Sequence, residues 1–91
     1  MEKNTVAIML DKERHLYFDV NSLVALEEAG VEFSELDGKI KTSALRKIIW
    51  AGLLHEDKEL TLEQVGAMIP FQRIKECGEA VGKALAVEGK N

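Results

Sequence analysis

Residues 43–69 read SALRKIIWAGLLHEDKELTLEQVGAMI, and this stretch decides the fold. Leu45, Ile48, Ile49 and Leu53 recur at the three-and-four spacing of an α-helix, while Trp50 and Leu54 widen the apolar surface onto a neighbouring stripe. Only Arg46 and Lys47 are strongly polar in this run. A helix apolar over most of its circumference must be wrapped by other elements, so residues 43–55 are expected to form the central helix. Thr42 or Ser43 is expected to cap its start, and the polar run His55-Glu56-Asp57-Lys58-Glu59 to end it.

A second start signal follows at once. Thr61 with Gln64 three residues on makes a capping box, and Leu60 and Val65 stand where a hydrophobic staple packs across the turn. The spacing predicts a short helix over 62–69, because Pro70 lacks an N–H and disfavours helical geometry at Ile69.

Outward from this block, Val6, Ile8 and Leu10 alternate with Thr5, Ala7 and Met9, and Leu16 and Phe18 with His15 and Tyr17. Residues 5–18 therefore read as a β-hairpin around a four-residue loop, Asp11-Lys12-Glu13-Arg14. A two-stranded hairpin is marginal alone, so its apolar face must lie on the helices, leaving its edges open to another chain. Asp19 or Asn21 caps a helix over 20–29 with Leu23 and Leu26 inward and Gly30 as a left-handed stop. Residues 31–41 connect, with a turn at Asp37-Gly38. The last helix, 70–87, sets Phe71, Ile74, Gly78, Val81 and Leu85 on one stripe, with Pro70 in its first turn and Cys77, Gly78 and Gly82 thinning it for close approach of another helix. The expected class is α+β: one domain over residues 1–91, an N-terminal hairpin packed on about four helices.

The central block resembles the tail assembly chaperones of long-tailed phages, including the related protein of gene transfer agents. In that family a pattern like LRxxxWAGLLHEDxxLTxEEVGxxI follows an N-terminal hairpin. Here Leu45-Arg46, then Trp50 through Asp57, then Leu60-Thr61-Leu62-Glu63-Gln64-Val65-Gly66 carry the likeness, with Gln64 where the family often has an acid. Phe18 through Glu28 also looks like the family's first helix. The resemblance implies a non-catalytic chaperone that binds the phage tape measure protein during tail morphogenesis, acts in the cytoplasm of the bacterial host and is absent from the finished particle. A structural tail or head-tail connector subunit is the alternative, and other tail proteins or self-association are further partners to expect.

Composition bounds these expectations independently. The chain has 91 residues, 46% apolar, 31% charged, with a net charge of −4. Residues 1–45 hold five Lys/Arg against nine Asp/Glu and residues 46–91 seven of each, so the basic excess that phosphate binding needs is missing. A helix-turn-helix DNA reader is disfavoured further, because 62–68 contains Glu63 and no Lys or Arg. No apolar run reaches membrane-span length, and no signal-peptide pattern opens the chain. Cys77, alone, cannot form an internal disulfide and reads as a small buried residue.

Catalytic groups are sparse. His15 and His55 have no metal-ligand spacing, Ser22, Ser34 and Ser43 have no nucleophile motif around them, and the glycines form no phosphate loop. No enzyme activity, cofactor or metal is expected. The residues that read as a partner surface are Tyr17, outward on its strand, Trp50 and Leu54 on the side of the central helix, and the seam of Cys77, Gly78 and Gly82.

Overall fold

A computed structural model describes residues 5–32 and 40–89. The turn expected at Asp37-Gly38 lies outside the described residues, as do Phe33 and Ser34. The elements in chain order are β1 (Val6–Met9), β2 (Glu13–Leu16), α1 (Val20–Glu28), α2 (Thr42–Leu53), α3 (Leu62–Ala67), a 3-10 turn (Phe71–Arg73) and α4 (Ile74–Gly89). This is the expected α+β class, a hairpin followed by four helices.

The strands pair antiparallel with Met9 opposite Glu13 and Val6 opposite Leu16. The loop is therefore Leu10 to Lys12, three residues rather than four, and Arg14 belongs to the strand. It sits on the core-facing side opposite Ile8 and is buried. Its charge is met by Asp11, with Nε donating to Oδ1 at 2.7 Å and Nη2 to Oδ2 at 2.9 Å, and that guanidinium holds the Asp11 carboxyl down to about 2.

Helix α1 begins with a reciprocal capping box. The Ser22 N–H donates to Asp19 Oδ1 at 3.0 Å and the Asp19 N–H donates to Ser22 Oγ at 3.2 Å, so Asp19 rather than Asn21 is the cap. It ends at Gly30, φ +92°, where the Gly30 N–H donates to Glu27 O and the Val31 N–H to Leu26 O. That double closure, with Leu26 and Val31 both buried, is a Schellman motif.

Helix α2 is central as expected, packing on α1, β2, α3 and α4. It buries Leu45, Ile48, Ile49, Ala51, Gly52 and Leu53 in a core shared with Leu16, Phe18, Leu26, Val65 and Val81. Its cap position is Lys41, which supplies no side-chain hydrogen bond, so neither Thr42 nor Ser43 caps it. Helix α3 is capped as read: the Gln64 N–H donates to Thr61 Oγ1 at 3.1 Å and the Thr61 N–H to Gln64 Oε1 at 2.9 Å. Leu60 and Val65 are both buried across that turn, and the helix stops at Ala67, two residues short of the expected end.

The last segment departs from its expected phase. Pro70 is extended, ψ 155°, and introduces the 3-10 turn instead of opening α4. Phe71 is consequently 85% exposed, and the inward stripe of α4 is Cys77, Val81 and Ala84, with Ile74 and Leu85 half-buried beside it.

Candidate functional site

Four surfaces follow from this packing: the edge of β2, the Trp50/Leu54 side of α2, the seam on α4, and a groove where α2, α3 and the start of α4 meet.

The β2 edge is occupied from within. Glu56 Oε1 accepts the His15 N–H at 3.2 Å, His55 Nε2 donates to His15 O at 2.7 Å, and the Tyr17 N–H donates to Gly52 O at 3.0 Å. These bonds take up the outward N–H and C=O of His15 and the N–H of Tyr17, which an added strand would need there. Tyr17 is half-buried rather than outward, because the chain turns past Leu16 onto the end of α2. Its ring meets the His55 ring edge-on at 5.5 Å and 61°. The His15 ring lies between two carboxylates, with Nδ1 2.8 Å from Glu56 Oε2 and Nε2 3.2 Å from Glu13 Oε2. The hydrogen bond to Glu56 raises the His15 pKa, partly opposed by desolvation. For Glu56 the largest single influence, desolvation, pushes upward, yet the bonds and charge from His15 outweigh it and its pKa is lowered.

Gly52 explains how the hairpin comes so close. A Cβ at that position would stand 2.8 Å from Leu16 Cδ2 and 2.8 Å from Phe18 Cζ, both buried side chains. Only glycine lets this crossing form without displacement.

Trp50 is half-buried, and its Nε1–H donates to Leu60 O at 2.9 Å, fastening the α2–α3 connection onto α2. Leu54 is half-buried at the end of α2, beside Asp19, Ser22 and His55 in a hollow of about 370 Å³. Asp19, Ser22 and His55 are already committed to the cap of α1 and the clasp on β2.

The α4 seam divides. Cys77 is 1% exposed and faces the core, where burial pushes its thiol pKa up, so it offers no surface to a partner. Gly78, the next residue, and Gly82, one turn beyond it, turn outward, and a Cβ at either would meet nothing within 4 Å. The three residues expected on one seam thus lie on two faces.

The groove joins residues that were not grouped in the sequence. Leu45, Ile69 and Ile74 line its apolar part, Arg46 flanks it, and its volume is about 410 Å³. Phe71, the most exposed large apolar side chain described, lies in the turn between Ile69 and Ile74. The Arg46 side chain crosses Gly66, where a Cβ would stand 3.1 Å from Arg46 Cδ. The available signal was the helix break at Pro70, which sets Ile69, Phe71 and Ile74 close in sequence but off a common helical stripe.

Among the described residues no group of three or more His, Cys, Asp or Glu could hold a metal ion, and no helix is long and apolar enough to cross a membrane. Comparison with protein-family models, with curated proteins and with solved structures yields no match.

Proposed function

We propose that this protein is a non-catalytic phage tail assembly chaperone that binds the tape measure protein in the cytoplasm of the bacterial host while the tail is built. The observation that carries the reading is the block from Leu45 to Gly66, whose likeness to that family spans the Trp50-Ala51-Gly52 step, the His55-Glu56-Asp57 turn and the Thr61 cap. Several of these residues do specific work here: Gly52 admits the hairpin, His55 and Glu56 seal its edge, and Thr61 starts α3. The likeness therefore runs through positions with individual physical roles, beyond general apolar pattern.

An assembly chaperone has to shield apolar stripes of a long helical client and then release them. An exposed Phe71 and a groove lined by Leu45, Ile69 and Ile74 each suit such reversible contact. The test is co-expression of the tagged chain with the tape measure protein of the same gene cluster. Recovery of soluble tape measure protein with the tag is the expected result. Failure to recover it, with the chain found in purified particles, would make the protein a structural subunit instead.

A further inference from the structure

The groove at the start of α2 has a chemistry that sets it apart from the rest of this acidic chain. Among the described residues that line it, Arg46 is the one charged side chain and no Asp or Glu takes part, against a net charge of −4 overall. Arg46 makes no ion pair or hydrogen bond with the described residues, whereas Arg14 and Arg73 are each paired, with Asp11 and Glu76. Gly66 leaves room for the Arg46 side chain to lie across α3 at the groove's edge. Among the described residues the N-cap Lys41 gives the first turn of α2 no side-chain hydrogen bond, and Thr42 and Ser43 are exposed. A helix start of this kind favours negative charge beside it. Leu45, Ile69 and Ile74 supply an apolar lining between these polar features.

We propose that this groove docks an amphipathic helix of a partner protein, its apolar stripe set on Leu45, Ile69 and Ile74 and an acidic side chain on its flank paired with Arg46. The partner's charge is what the complementarity selects: a carboxylate gains both the guanidinium and the open start of α2, and an ammonium group meets repulsion from each. Naming the tape measure protein as the owner of that helix rests on the chaperone reading. The chemistry of the groove does not.

The experiment titrates the intact chain with two synthetic helical peptides that share one leucine stripe, one flanked by Glu and the other by Lys, following backbone amide NMR shifts. The Glu peptide is expected to bind at least ~10-fold tighter, a difference of about 1.4 kcal/mol. Its shifts should centre on Leu45, Arg46, Gly66, Ile69 and Ile74, and its affinity should fall with salt. Arg46→Glu should reverse the preference and Arg46→Gln abolish it; since Arg46 is only half-buried, both variants should fold. Equal affinity for the two peptides, shifts centred on the hairpin, or a preference unchanged in Arg46→Glu would overturn the proposal. A wild-type dimer in sedimentation that Arg46→Glu dissociates would also overturn it, by making the occupant a second copy. Peptide discrimination without recovery of tape measure protein would sink the chaperone reading alone. Recovery of that protein equally by wild type and Arg46→Glu, with no discrimination between peptides, would sink the groove proposal alone.

Discussion

Replacing Gly52 by alanine isolates the contact on which the hairpin's position depends. The added methyl would stand 2.8 Å from Leu16 Cδ2, 2.8 Å from Phe18 Cζ and 3.2 Å from Phe18 Cε2. Leu16 is 0% and Phe18 3% exposed, so neither side chain can swing into solvent to make room. The hairpin must lift or the core must shift, and overpacking of this kind costs about 1–3 kcal/mol. Against it stands the helix preference of alanine over glycine, about 1 kcal/mol at an interior helical position. The clash also strains the Tyr17 N–H to Gly52 O bond at 3.0 Å and, through the same approach, the His55 bond to His15 O. The two terms leave a loss of up to about 2 kcal/mol and the strained bonds add to it, so the net expectation is about 1–2 kcal/mol, or about 4–16 °C in Tm for a domain of this size.

Gly82→Ala supplies the matched control. It makes the same chemical change inside a helix, but the new methyl meets nothing within 4 Å. The propensity gain then stands alone, up to about 1 kcal/mol, and Tm should rise. Thermal melts followed by circular dichroism, repeated as urea titrations, measure both variants. The opposite signs are the point of the comparison. A Gly52→Ala protein as stable as wild type, or stabilised as much as Gly82→Ala, would refute the close crossing of the hairpin over α2.

Thr61→Ala removes the acceptor for the Gln64 N–H and should cost about 1 kcal/mol in urea unfolding, with Thr61→Ser retaining most of it. Trp50→Phe deprives Leu60 O of its donor and should cost about 1 kcal/mol, with faster hydrogen exchange across residues 54–60. His15→Gln should lower Tm more at pH 5.5 than at pH 8.5. The raised His15 pKa means its stabilisation is full below the ordinary 6.5 and fades as pH rises through the folded value. The lowered Glu56 pKa means the partner's share is present above the ordinary 4.5 and fades as pH falls through its own. An equal Tm gap at both pH values would show that the clasp is not an ion pair.

The features legible in the sequence are those whose cause is local. The capping box of Thr61 and Gln64, the staple of Leu60 and Val65 and the left-handed Gly30 each need only a few consecutive residues, and all three are present. Burial of the Leu45, Ile48, Ile49 and Leu53 stripe followed from helical period alone. The phase of α4 was not legible through Pro70, because an extended proline and a 3-10 turn break the 100° step that periodicity assumes, leaving Phe71 in solvent. Cys77 stands about 100° from Gly78 in any α-helix, so the phase of α4 decides only which of the two faces inward. Tyr17 was read as outward because strand alternation carries no information about where the chain bends after Leu16. The sealing of the β2 edge, which draws on Glu56 and His55 about forty positions away, is a tertiary event that no local window contains.

The two ends of α2 have opposite characters, and this makes the proposed binding face testable without confusing it with stability. At the C-terminal end, Gly52, His55 and Glu56 hold the hairpin, and Trp50 holds the following connection, so substitutions there act on folding. At the N-terminal end, Lys41 leaves the first turn uncapped and Arg46 carries an unpaired charge among the described residues, both of which forgo available stabilisation. Capping that turn with Lys41→Ser should add a few tenths to about 1 kcal/mol, because Lys41 supplies no side-chain acceptor to the first amides. If those amides instead receive a partner's carboxylate, the same substitution should weaken the Glu-flanked peptide while Tm rises. Stability and affinity moving in opposite directions at one residue is a signature that a purely structural helix start would not produce.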